Sequence, residues 1–221
     1  MSIVTALVAV AVATAQSATA SPPPAAPTLS GPVVVLETSM GDIRIALDEQ
    51  KAPVTVKNFL TYARAGHYDG TLFHRVKPGF MIQGGGMDAA MKEKVTRAPI
   101  KNEAANKLRN DRGTVAMART AEPNSATAQF FVNVKNNASL DYGIGGAGYA
   151  VFGTVIDGMD VVDRIVAVPT TSKGVHQDVP VTPVVIKRAR VDAAARAPAV
   201  APADPIEKPA PARPASMPRR N

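Results

Sequence analysis

Across residues 33–191 the sequence is cut into short strand-like runs by glycine, proline and asparagine, and this segmentation limits the fold more than any other feature. Residues 33–38 and 42–47 flank Ser39-Met40-Gly41. The second arm alternates apolar and polar residues and glycine ends the turn, which predicts a hairpin. Similar runs occupy 71–76, 80–83, 114–119, 129–134, 149–156 and 184–191. Two stretches have helical spacing instead. After Pro53, residues Val56, Phe59, Leu60 and Ala63 share one face and Gly66 suits the C-terminal end; after Asp157-Gly158, residues Val161, Val162, Ile165 and Val166 form an apolar stripe. Many short strands with two helices point to a closed antiparallel barrel rather than an alternating α/β sheet.

The ends differ from this middle. Five of the 19 prolines lie within residues 22–32 and seven within 198–218. Residues 3–15 are an unbroken run of Ile, Val, Leu, Ala and Thr, followed by the small-residue sites Ala13-Thr14-Ala15 and Ala18-Thr19-Ala20. Residues 1–20 therefore read as a secretory signal, although no Lys or Arg precedes the run. The run is shorter than the roughly 20 residues of a membrane span. Residues 21–32 read as an extended Pro-rich linker, 33–191 as the folded domain and 192–221 as a disordered Ala/Pro-rich tail with too few apolar residues to offset the entropy of ordering. The formal charge is +7, but its Lys and Arg are scattered without interleaved aromatics, so nucleic-acid recognition is not indicated. With no cysteine, disulfides, thiolate nucleophiles and Cys metal sites are excluded.

Several apparent motifs lack the context their chemistry needs. Gly143-Ile144-Gly145-Gly146-Ala147-Gly148 has the spacing of a dinucleotide fingerprint, yet a strand-like run follows it where a helix should begin. Gly84-Gly85-Gly86 is not followed by the Lys-Ser or Lys-Thr of a phosphate loop, and His67, His74 and His176 form no compact metal motif. No G-x-S-x-G is present for a serine hydrolase.

What remains is Phe73-His74-Arg75-Val76-Lys77-Pro78-Gly79-Phe80-Met81-Ile82-Gln83-Gly84-Gly85, with one arginine and one glutamine set in apolar strand-like sequence. Joined to Gly113-Thr114-Val115-Ala116-Met117-Ala118-Arg119 and Ser125-Ala126-Thr127-Ala128-Gln129-Phe130-Phe131-Val132, it resembles the cyclophilin family of peptidyl-prolyl cis-trans isomerases in order and spacing. Asn58-Phe59, Leu140-Asp141 and Val151-Phe152-Gly153 extend the resemblance over 33–191. Lys101-Asn102-Glu103-Ala104 and the run from Gly148 to Gly153 are most similar to the exported, periplasmic bacterial branch. The resemblance implies a mainly β fold, an eight-stranded antiparallel barrel closed by two helices, with an active groove on its outer face. It implies Arg75 as the catalytic residue and a proline pocket of Phe80, Met81, Phe131 and Leu140, lined also by Tyr149. Gln83, Gln129 and the Ala118-Arg119 backbone would hold the peptide. It implies no metal or cofactor, a monomer, and unfolded or partly folded proline-containing polypeptides as partners. Ser139 stands where many members carry tryptophan, so weak cyclosporin binding is expected. Arg119 replaces an asparagine common in eukaryotic members, and Lys77 adds a charge that favours acidic peptides.

The chemistry of bond rotation asks for such residues. Amide resonance sets a barrier of roughly 18–20 kcal/mol to X-Pro isomerisation. In the twisted transition state the proline nitrogen regains its lone pair, so a fixed N–H donor aimed at it binds that state better than either planar isomer. Arginine is always charged and its planar fork is pre-organised. No proton leaves and no covalent intermediate forms, so no base or thiol need accompany it. The simpler role for Arg75 is an ion pair with an acid. The competing function is a proline-peptide-binding module or holdase chaperone with little turnover.

Overall fold

The computed structural model describes residues 31–196. The leader, the linker up to residue 30 and the tail beyond residue 196 lie outside them. The elements are β1 (Pro32–Thr38), β2 (Gly41–Leu47), α1 (Pro53–Arg64), β3 (Thr71–Leu72), β4 (Arg75–Lys77), β5 (Met81–Gly84), β6 (Thr114–Met117), β7 (Phe130–Asn133), β8 (Val151–Asp157), α2 (Met159–Val166), β9 (Thr170–Lys173), β10 (His176–Pro180) and β11 (Val185–Arg196).

Nine strands form one antiparallel sheet in the order β3-β11-β1-β2-β8-β6-β7-β5-β4. Its two edge strands, β3 and β4, are successive pieces of one stretch interrupted only by Phe73 and His74. Counted as a single strand they reduce nine to eight and join the sheet's ends, which closes the barrel and removes its open edges. The run expected over 71–76 is therefore broken. Phe73 donates its N–H to Val184 O (2.9 Å), continuing the β3–β11 side, while β4 turns to pair with β5. β11 also runs past the expected boundary, because Asp192 and Arg196 pair with Val33 and Pro32.

Strand alternation sends Val76, Ile82, Val115, Phe130 and Val132 into the barrel, where Phe59 of α1 sits 5.0 Å from the rings of Tyr68 and Phe152 and 5.4 Å from Phe130. Val56, Leu60 and Ala63 of α1 and Val161, Val162 and Ile165 of α2 join the same core. No side chain of its own caps α1. Pro53 occupies its first turn, and Glu103 reaches in from the β5–β6 connection to accept from the N–H groups of Val54 (3.1 Å) and Thr55 (2.8 Å). Asn102 beside it donates to the carbonyls of Ala147 and Gly148, so the Lys101-Asn102-Glu103-Ala104 motif ties a helix start to a glycine loop. That loop leads into β8 as a strand, as expected, and no helix begins there.

Candidate active site

One row of outward residues crosses four strands: Arg75 on β4 faces Gln83 on β5, Gln83 faces Phe131 on β7, and Phe131 faces Ala116 on β6. The alternation that points Ile82, Phe130 and Val132 inward turns Met81, Gln83 and Phe131 outward. Met81, Ala116, Phe131 and Val151 form a second apolar cluster outside the barrel, with Phe80, Leu108, Ala118, Leu140 and Tyr149 packed around it. They surround a pocket of about 130 Å³ with Arg75, Gln83 and Arg119 on its rim. Sites for drug-sized ligands run to roughly 300–1,000 Å³, so this one suits a single compact side chain or ring. A larger groove of about 470 Å³ lies between α1 and Arg97, Ala98 and Ile100, and none of the residues expected at the site lines it.

A buried amide network fixes the rims. Phe80 follows the Pro78-Gly79 corner, where Gly79 takes φ +66°. The Phe80 carbonyl accepts from Asn137 Nδ2 (2.8 Å), which also donates to Asn133 Oδ1 (2.7 Å). Asn133 donates to Asn110 Oδ1 (3.2 Å), and Asn110 donates to Asp141 Oδ1 (3.1 Å) and to the Leu140 carbonyl (3.1 Å). Phe80 on one rim and Leu140 on the other are thus joined through three buried asparagines, Asn137, Asn133 and Asn110, with Asp141 bonded to the last of them. Such a network is rigid because each unmet group would be costly.

Contacts between side chains and to one backbone carbonyl orient the polar rim. Gln83 Nε2 donates to Gln129 Oε1 (2.9 Å), and Gln129 Nε2 donates to Glu93 Oε1 (3.3 Å). Gly86 is required here, because a Cβ on it would lie 2.4 Å from the Gln129 side chain. The Arg119 guanidinium lies over the Tyr149 ring (4.4 Å) and donates through Nε to the Gly148 carbonyl (2.9 Å), while Tyr149 meets Phe131 edge-on at 5.7 Å. Arg75 donates through Nε to Asp178 Oδ2 (3.3 Å), and its two Nη groups make no hydrogen bond among the described residues. The ion pair of an ordinary strand arginine is therefore present, with both Nη groups of the fork still open.

His74 takes no part in acid-base chemistry at neutral pH. It is 6 % exposed, its Nδ1 has no hydrogen-bond partner, and burial, aided by the nearby His176, lowers its pKa to about 4. The carboxylates of Asp178 and Glu93 are engaged by Arg75 and Gln129, and that of Asp141 by Asn110. The pocket thus combines apolar walls with N–H donors and presents no free base or nucleophile among the described residues.

Nine of the ten residues expected at the site line this one pocket: Arg75, Phe80, Met81, Gln83, Ala118, Arg119, Phe131, Leu140 and Tyr149. Gln129 does not line it but stands behind Gln83. Sequence reasoning passed over Asp178, Glu93, the asparagine network and the β9–β10 hairpin. The hairpin had a local signal, two short runs either side of Lys173-Gly174-Val175. The partners of Glu93 and Asn133 are set by three-dimensional pairing and had none.

The model of the cyclophilin type peptidyl-prolyl cis-trans isomerase/CLD family matches residues 33–191. "Peptidyl-prolyl cis-trans isomerase A" of Dickeya dadantii (strain 3937) is 56% identical over 181 residues, 82% of this chain and 95% of that protein. "Peptidyl-prolyl cis-trans isomerase B" of Escherichia coli (strain K12) is 56% identical over 162 residues, 72% of this chain and 99% of that one. A crystal structure of a Cryptosporidium parvum cyclophilin type isomerase in the presence of the dipeptide Ala-Pro superposes with a TM-score of 0.61 at 26% identity, covering 72% of this chain and 98% of that one. A match over the whole barrel, with relatives this similar along nearly their full length, establishes that the chain belongs to the cyclophilin-type peptidyl-prolyl cis-trans isomerases.

Proposed function

We propose that the outer-face pocket is where this isomerase turns over X-Pro bonds, and that Arg75 does so by stabilising the twisted proline nitrogen. The pyrrolidine ring enters the apolar cup of Phe80, Met81, Phe131 and Leu140, with Tyr149 along its side. Gln83, steadied by Gln129, holds the peptide carbonyl while the bond turns, and the Ala118-Arg119 backbone holds the neighbouring chain. The open edge of the Arg75 fork donates to the nitrogen as its lone pair forms. A preorganised donor of this kind is worth on the order of 10²–10³ in rate. The observation that carries the reading is the Arg75 guanidinium, held at Nε with both Nη groups open, at the mouth of a pocket sized for one ring.

The 1–20 leader supports export to a bacterial periplasm, where the enzyme would act as a monomer on unfolded or partly folded proline-containing chains. Among the described residues no helix is long and apolar enough to cross a membrane. Ser139, exposed beside Leu140, leaves cyclosporin little to pack against, and the exposed Lys77 favours acidic peptides. The test is isomerisation of a Xaa-Pro peptide by the wild type and by Arg75→Ala. A loss of about 100-fold or more is expected, and equal rates would refute the role of Arg75.

A further inference from the structure

The β9–β10 hairpin does not join the barrel. It is a separate two-stranded sheet, and β10 packs against β4, the three-residue strand that carries Arg75. Its pairing is irregular between His176 and Val179, so Gln177 and Asp178 leave the ladder. Asp178 there adopts φ +60°, one of three non-glycine residues with positive φ among those described. Strained backbone of this kind persists where surrounding contacts over-determine it. Its effect is to bring the Asp178 carboxylate to Arg75 Nε at 3.3 Å, with the two side chains 29% and 38% exposed.

We infer that Asp178 is a positioning residue for catalysis, holding the inner edge of the Arg75 fork so that both Nη groups face the substrate. The inference rests on the reading of Arg75 given above. A free arginine side chain samples many rotamers, and a donor that must be ordered during each turnover loses much of its advantage. Capping Nε selects one orientation of a planar group whose remaining donors are fixed relative to it. The pairing also draws charge away from the site, so Asp178 helps only through geometry. A neutral acceptor of the same shape should then serve nearly as well as the carboxylate.

The experiment is exchange NMR on a proline peptide, which yields peptide affinity and on-enzyme exchange rate separately, with the Arg75 Nε–H signal followed in parallel. Asp178→Ala should lower the exchange rate about tenfold with affinity within about twofold, and should broaden the Nε–H signal or lose it to solvent exchange. Asp178→Asn should recover most of the rate. In an Arg75→Ala background, Asp178→Ala should have no further effect. The inference is overturned if Asp178→Ala keeps both the wild-type rate and an ordered Nε–H, if Asp178→Asn is as slow as Asp178→Ala, or if the loss persists without Arg75. If Asp178→Ala does not fold, Asp178→Asn and Asp178→Glu decide the matter: an ordered Nε–H with wild-type exchange supports the inference, and slowed exchange despite an ordered Nε–H overturns it. Should Arg75→Ala alone leave exchange unchanged, the reading of the site fails instead.

Discussion

The inner and outer faces of β5, β6 and β7 come from alternate residues of the same short strands, and exposure alone does not separate them. Ile82, Val115, Phe130 and Val132 inside are at 0 % exposure; Met81, Ala116 and Phe131 outside are at 2 %, 0 % and 4 %. What separates them is the company they keep. The inner set touches other apolar side chains on every side. The outer set is ringed by Arg75, Gln83 and Arg119 and underlain by the amide network from Phe80 to Leu140. An apolar surface becomes a site where polar groups are fixed at its border, because they give direction to an otherwise undirected attraction for a ring.

Neighbouring phenylalanines break the comparison most sharply. Phe130→Ala opens a cavity in the sealed core and should cost about 3–5 kcal/mol, whereas Phe131→Ala, next to an open pocket that water can fill, should cost only the lost transfer energy of about 1.5–3 kcal/mol and reduce catalysis as well. Urea unfolding beside a peptide isomerisation assay checks both. The next effect is one of pH. The folded state keeps His74 neutral down to about pH 4, while the unfolded chain takes up its proton near 6.5. Stability from this group is complete above pH 6.5 and is lost as pH falls toward 4, by at most about 3 kcal/mol. His74→Asn should flatten that part of the stability–pH curve, and an unaltered slope would show that another group is responsible. Smaller again, Asn133→Ala cuts the polar link between the rims and should cost about 1–3 kcal/mol, with peptide affinity reduced as well. Smallest is Lys77→Ala, which should leave stability within about 0.5 kcal/mol and weaken binding of acidic proline peptides at low salt, an effect that fades as salt is added.

The outer face could be read in the sequence because its residues are contiguous. Arg75, Phe80, Met81 and Gln83 lie within nine positions, and a two-residue period with a Pro-Gly corner puts them on one side. The barrel was legible for a similar reason, since strand runs and turn residues are local signals. The second layer was not. Glu93 reaches Gln129 across 36 residues and Asp178 reaches Arg75 across 103, and neither pairing leaves a periodic trace. In the long connection between β5 and β6 only Lys101-Asn102-Glu103-Ala104 stood out, and nothing in the sequence told that its Glu103 caps α1 or that Asn110 joins the network. The break between β3 and β4 follows from closing the sheet, a constraint that acts only once all the strands are assembled.

The central claim is that Arg75 catalyses rotation rather than merely binding proline peptides. Exchange spectroscopy on one Ala-Pro peptide, with wild type and Arg75→Ala at matched occupancy, tests it most directly. The account predicts affinity retained within a few-fold and an on-enzyme exchange rate lower by about 100-fold or more. An exchange rate that survives the substitution, or that falls only in step with affinity, would contradict it.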